Sequence, residues 1–449
     1  MMQLKFFLII IGSIIGLGGC VSYSPKPIDT HFSFESASQL IARYRDQNSS
    51  SSIAVLNPSK GVDGAQLAVL AVFNNPALQL ARADANISHA QLFAAGLFPD
   101  PTVGYSILNP VGSIPGSASG TFMGIGYDLS SLWFRGINQA VARHETEKVD
   151  LGVLWLEWQS VAEAMMLYYQ SVNLEKQSVL LMQYHSLYGS QLRSSRVAYT
   201  KSLVSSDVLS SNITLLDGID KLIQDNNQQK NKTSSSIAAL LGIDSGSEVP
   251  LQEGFELRTF SDDEIQKSLL KLDEIRPDLI ALRIGYDAQE ERVRKAVWAQ
   301  FPAISVSLGH ETDVTAVSTQ SIGITLTLPL FERGRGAIAM EQASREKLFQ
   351  EYKARQAYTR NEVQKILNDR NLYLKRLNQL QPVLKNLEEA RASAVKAFGR
   401  GDIDEPTYVR YIASSLDKKM ESLQVAQNIR EMDIALYLLC GKIDWNRRN

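Results

Sequence analysis

Cysteine is nearly absent from this chain of 449 residues: only Cys20 and Cys440 occur, in no C-x-x-C pair and no zinc spacing. At most one intramolecular disulfide could form, so no disulfide framework organises the fold. Histidine is equally sparse. His31, His89, His144, His185 and His310 are dispersed, and neither His144-Glu145 nor His310-Glu311 has the second histidine of a zinc-protease helix. No metal and no cofactor are expected. The phosphate-cradling G-x-x-x-x-G-K-[ST] is missing, and Gly116 to Gly120 carries Ala118 where a nucleophile elbow needs its serine. No catalytic residue is expected, and the chain is not read as an enzyme. Beyond the N-terminus no run of ~18 uncharged apolar residues occurs, which excludes a spanning helix and leaves strands as the only way across a membrane. An excess of one charge is lacking too: 46 basic against 48 acidic residues give a net charge of −2, and no basic block points to nucleic acid.

What is present begins with a leader. Lys5 precedes an apolar core, Phe6 to Leu17, too short for a membrane span. It ends in Leu17-Gly18-Gly19-Cys20, which resembles the lipobox of bacterial lipoproteins. That resemblance implies a signal peptide over 1–19 and a diacylglycerol on the Cys20 thiol. Val21 stands where aspartate often retains lipoproteins at the inner membrane, so sorting to the outer membrane is expected. Several acyl chains hold firmly where one binds only marginally.

The chain then repeats itself. Pro76 and Pro277 open helical runs that Pro101 and Pro302 close, and both pairs are offset by 201 residues (277 − 76 and 302 − 101). Proline suits a helix start because its missing N–H costs nothing there. After each closing proline the period switches to two. Val103, Tyr105 and Ile107 alternate with Thr102, Gly104 and Ser106; Ile304, Val306 and Leu308 alternate with Ser305, Ser307 and Gly309. Turn-rich segments, Asn109 to Gly120 and His310 to Gln320, lead to second strands. Their apolar faces are Met123, Ile125, Tyr127 and Leu129 in one half, and Ile322, Ile324, Leu326 and Leu328 in the other. Trp133-Phe134-Arg135-Gly136 and Phe331-Glu332-Arg333-Gly334 follow, expected to precede the next helix in both halves. The offset falls from 199 at the strands to 198 at the glycines, which reads as a one-residue bulge.

Very long helices come next, from Ile137 to about Tyr199 and from about Gly336 to Phe398, each roughly 95 Å at ~1.5 Å per residue. Leu377, Leu380, Leu384, Leu387, Ala394 and Phe398 form a coiled-coil seam in the second, where Pro382 is expected to kink or break the helix. Short turns lead into returning helices, Asp207 to Leu241 and Thr407 to Cys440, closed by Gly242 and Gly441. The expected organisation is a leader (1–19), a mostly irregular lead-in (20–64), a first repeat (65–243), a linker (244–262), a second repeat (263–441) and a tail (442–449).

Four strands with one apolar face cannot seal themselves in lipid, because membrane barrels begin at eight. The chain must therefore pool its strands with other copies, apolar side chains toward lipid and Gly, Ser and Thr toward a watery lumen. The strands, ~7 to 9 residues, are a little short of a full span. The repeat, the N-P-x-L-x-x-A-R-A opening at Asn75 to Ala83, the paired hairpins and the P-L-F-x-x-G signal at Pro329 to Gly334 together resemble the TolC-like outer membrane factor family. The resemblance implies a fold that is mainly α with a small membrane β-barrel portion. It implies a homotrimer with twelve strands in one barrel and an α-helical tunnel across the periplasm. It implies a periplasmic adaptor and an inner-membrane pump of the resistance-nodulation-division type as partners, with the duct passing small molecules outward. A type I protein secretion duct is the alternative, and a non-conducting coiled-coil envelope lipoprotein the alternative of another class. The lipid-facing side chains would be Val103, Tyr105, Ile107, Met123, Ile125, Tyr127, Ile304, Val306, Leu308, Ile322, Ile324 and Leu326.

The resemblance places adaptor contact and gate at the two helical tips: Leu203, Asp207, Val208 and Leu209, and Gly401, Asp402, Asp404, Glu405 and Arg410. Asp207-Val208-Leu209 fits the family's D-V-L pattern, whereas Thr407-Tyr408-Val409-Arg410 replaces D-V-L-D at the second tip. Arg410 would put cations near the constriction unless Asp402, Asp404 or Glu405 pair with it. Asp207 doubles as a candidate N-cap. Trp133, Phe134 and Phe331 are candidates for an interfacial belt or for packing at the strand–helix junction. Trp155, Trp158 and the apolar-flanked Cys440 read as packing residues.

Overall fold

A computed structural model describes residues 23–28, 30, 34–47, 61–111, 116 and 118–441. The leader, Cys20 and the tail 442–449 lie outside the described residues. The chain divides into two compact units, 1–35 and 36–449. The described residues of the first form no helix or strand. The rest of the description concerns the second.

Helix α1 (Ala37–Gln47) lies in the lead-in, where the sequence predicts mostly irregular chain. Its buried Ala37, Leu40 and Ile41 join the main core, which is what orders it. Helix α2 (Gly64–Asn74) opens with a capping box between Asp63 and Gln66 and buries nearly every side chain. Helix α3 (Pro76–Ala95) starts one residue later, where the Asn75 side chain accepts the Ala77 N–H at 2.9 Å.

Strands β1 (Thr102–Leu108) and β2 (Gly120–Asp128) form the first hairpin; β3 (Ala303–Thr312) and β4 (Ser318–Thr327) form the second. All pair antiparallel in the order β1-β2-β3-β4. The register sets Val103 opposite Ile125, Tyr105 opposite Met123, Ile125 opposite Leu308, and Val306 between Tyr127 and Ile324. Every apolar position of the alternating pattern therefore falls on one face. β3 and β4 have ten residues each, because pairing continues through Glu311 and Thr312 to a short turn at 313–317. That length meets the ~9–11 residues of a tilted span.

Helix α4 (Leu129–Thr200) has 72 residues and spans ~108 Å; it is followed by α5 (Ser206–Leu241). After α6 (Asp262–Leu269), α7 (Leu272–Ile275) and α8 (Pro277–Trp298) comes the second hairpin. Helix α9 (Arg335–Arg400) has 66 residues, or ~99 Å, and α10 (Glu405–Leu439) returns beside it.

Three local expectations are corrected. The strand–helix junctions differ between halves. Asp128 caps α4 directly, accepting the Ser130 N–H at 2.9 Å, so Trp133 to Gly136 lie inside the helix. In the second half Pro329 forbids that continuation, and α9 begins only after Gly334 at φ 66°. Strand pairing runs without interruption, so the one-residue offset is this junction and not a bulge. Finally, of the kink or break expected at Pro382 the break is absent: α9 runs on through it, the proline on the exposed side while Leu380 and Leu384 pack inward against Val425 and Ile429.

The main core gathers α1, α2, the middle of α4 (Val161 to Tyr168), the end of α5 and Ile434 of α10. Here the linker between repeats is strapped down. Tyr168 donates its hydroxyl to Gln252 O at 2.8 Å and Tyr169 to Phe255 O at 3.1 Å, while Tyr169 Oη accepts the Leu257 N–H at 2.8 Å. Val62 forms a single parallel bridge to Leu251, its N–H donating to Pro250 O and its carbonyl accepting the Gln252 N–H. Arg276, fully buried, binds Asp278 through Nε and Nη2 and lies 4.7 Å over the Trp155 ring.

Candidate functional site

Two regions carry the site: the sheet, and the tips of the long helices. On the sheet the apolar face is uncovered. Ile322 is 82% exposed, Ile324 68% and Val103 63%, and Tyr105, Ile107, Leu308, Leu326, Ile125, Ile304 and Met123 are exposed as well. Tyr127 and Val306 are half-buried in the middle of the same face. An exposed apolar face of this extent marks a surface that a membrane or another protein covers. The outer edges of β1 and β4 pair with no further strand among the described residues. The opposite face carries mostly Gly, Ser and Thr. Its exceptions include Leu108, Asp128, Glu311 and the one aromatic, Phe122, which no alternation count singled out because it stands in the polar register.

Where strands meet helices, aromatic rings gather. Trp133 and Trp298 lie 5.4 Å apart, Trp298 and Phe301 5.6 Å, and Arg135 sits 4.3 Å over Phe98 while donating from Nε to Gly96 O at 3.0 Å. Trp133, beside Trp298, is still 66% exposed and Phe331 93%; Phe134 is half-buried. Trp298 and Phe301 were missed, because they end a helical run that reads as ordinary. At the far end of the sheet, Asp313 accepts the N–H groups of Thr315 (2.8 Å) and Val317 (2.9 Å). The Val317 N–H, with the Thr315 hydroxyl, holds its carboxyl below the usual range. The Ala118 N–H donates to Val314 O at 2.8 Å, tying the two hairpin loops together.

At the first tip Ser202 turns the chain with φ 56°, and Leu203 is 73% exposed. Ser205, not Asp207, is the N-cap of α5: its side chain accepts the Val208 N–H. Asp207 is exposed in the first turn, where a carboxylate favours the helix dipole, and Val208 and Leu209 are half-buried. At the second tip Gly401 takes φ 79°, which a side chain would resist, and Asp404 caps α10 by accepting the Thr407 N–H at 3.0 Å. Hydrogen bonds from Thr407 hold the Asp404 carboxyl below the usual range.

None of the three carboxylates considered for Arg410 forms a direct ion pair with it, although Arg410 lies close enough to act electrostatically on Asp404. Asp402 pairs with Arg400 at 2.8 Å, Asp404 caps its helix, and Glu405 accepts from the hydroxyl of Ser195 on α4 and the amide of Asn212 on α5. Ser195 and Asn212 are both almost fully buried, so Glu405 knits the second tip to the first. Arg410 is exposed and joins none of the ion pairs among the described residues. Phe398 and Tyr408 stack at 4.5 Å just behind the tip. Above them Tyr184 of α4 donates to Ser415 Oγ at 3.0 Å, and Glu388 binds Arg391 and Lys419.

Comparison with known proteins supplies the context. The family model described as outer membrane efflux protein matches residues 271–442, the second repeat. Among solved structures, the CmeC outer membrane channel of Campylobacter jejuni is 15% identical, with a TM-score of 0.72 over 94% of this chain and 94% of that one. The open-state MtrE outer membrane channel of Neisseria gonorrhoeae is also 15% identical, with a TM-score of 0.70 over 94% of this chain and 98% of that one. The outer membrane protein VceC of Vibrio cholerae gives a TM-score of 0.69 at 15% identity, over 84% of this chain and 95% of that one. No curated protein matches this sequence. The family resemblance read from the motifs is borne out, and the fold is that of these outer-membrane channels.

Proposed function

We propose that three copies of this chain close their sheets into one twelve-stranded barrel and form the outer-membrane exit duct of a tripartite efflux machine. One observation carries the reading: a four-stranded sheet with a bare apolar face and two open edges, joined to helices of ~100 Å. In lipid such edges must be paired, and a second and third copy supply the strands. The helices then extend the lumen across the periplasm. Their tips, with Leu203, Asp207 to Leu209, Gly401 to Glu405 and Arg410, meet a periplasmic adaptor fed by an inner-membrane pump of the resistance-nodulation-division type. Trp133, Trp298 and Phe331 lie where the inner leaflet ends. The cargo is small molecules.

Purified trimer in a planar bilayer should give discrete single-channel currents, larger in Arg410→Ala if the tip constricts the pore. A water-soluble monomer that needs no detergent would overturn the reading. Cys20 supplies the lipid anchor. Cys20→Ala should abolish incorporation of labelled fatty acid and leave the circular dichroism spectrum unchanged; label persisting in that variant would place the anchor elsewhere.

A further inference from the structure

The sheet's polar face carries one aromatic, Phe122, and its direct cross-strand partner is Glu311. Side chains so paired stand ~5 Å apart at Cβ. The ring leans over a floor of glycine: a Cβ at Gly124 would lie 2.8 Å from Phe122 Cζ, and one at Gly309 2.8 Å from Phe122 Cε2. The missing side chains leave the ring its place on the backbone, on the sheet face that the duct reading turns toward the lumen. Glu311 is exposed and joins no ion pair among the described residues. No lysine or arginine occurs from 83 to 134 or from 296 to 332, so neither hairpin can neutralise the carboxylate.

We propose that Phe122 and Glu311 together form a resting site for amphiphilic organic cations in the outer part of the lumen, repeated three times around it. The inference rests on the duct reading and adds a substrate class to it. An aromatic face attracts a quaternary ammonium group and stacks with an aromatic ring, and the adjacent carboxylate supplies the opposite charge. A lumen lined by fixed charge of one sign concentrates such ions. Cargo would pause here on leaving.

The test uses the purified trimer in a planar bilayer, with benzyltrimethylammonium or tetramethylammonium added to the hairpin side. Benzyltrimethylammonium should block the current at concentrations at least fivefold lower than tetramethylammonium. Phe122→Leu should erase that preference, Phe122→Tyr should keep it, and Glu311→Gln should weaken block by both ions. Channels that conduct yet show no preference, or the same preference in Phe122→Leu, overturn this inference and leave the duct reading standing. No conduction by any variant, Arg410→Ala included, overturns the duct reading itself. Calorimetric titration of the same trimer in detergent gives a second readout; benzyltrimethylammonium binding undiminished in Glu311→Gln would also refute the site.

Discussion

At Glu388 a partly exposed carboxylate accepts from Arg391 at 2.5 Å and Lys419 at 2.9 Å, which brings its pKa from 4.5 down to about 2. Arg391 is the larger cause and Lys419 the second. A depressed acid stabilises the folded state above its unfolded pKa, and that stability disappears as pH falls through the folded value. The window here is pH ~4.5 down to ~2. The Glu388 side chain is 43% exposed, so the effect is about 1 kcal/mol once solvent screening is allowed for. Thermal unfolding in detergent should show a melting temperature that drops more between pH 5 and pH 2.5 in the native protein than in Glu388→Gln. Parallel slopes would mean the three-residue cluster is electrostatically idle. Single residues were the least legible scale. Glu405 looks like any exposed acid at a helix start, and only the fold brings Ser195 and Asn212 to it. Ser205 outranks Asp207 as cap because the helix already begins at Ser206, soon after the turn at Ser202.

Elements were legible where a physical period is strong. Alternation located all four strands and their apolar face, since a two-residue period in a paired sheet cannot be shifted by one without turning every side chain over. The prolines marked α3 and α8 because Pro at a helix start is favoured and Pro within one is not. What escaped was the strand–helix junction. The same aromatic-x-x-glycine spacing is helical after Asp128 and a turn after Pro329, and one cap and one proline decide between them. The face assignment is directly testable. Val306→Lys, on the apolar face, should impair trimer assembly by ~2–4 kcal/mol, the cost of a cation facing lipid at mid-membrane. Ser305→Lys, its neighbour on the other face, should assemble nearly normally. Trimer yield on gels read without boiling separates the two, and the opposite ranking would reverse lumen and lipid.

For the molecule as a whole, the open edges of β1 and β4 are where the proposed copies would meet. Ser106→Cys combined with Ser321→Cys places one thiol on each edge strand, and no single sheet can join them because β2 and β3 lie between. Oxidation should give covalent dimers and trimers that reduction dissolves; exclusively monomeric material would show that these edges do not meet. The tyrosine straps at the linker bear on a different question, that of chain continuity. The exposed turn at Ser245-Gly246 does none of the holding, whereas Tyr168, Tyr169 and Val62 grip the segment just beyond it. The straps, rather than the peptide bond at the turn, are therefore expected to hold the two halves together. Cells supplied with 1–245 and, behind a cleavable export signal of its own, 246–449 should reconstitute a pore from six pieces; both pieces reaching the envelope without pore activity would show that the bond is needed.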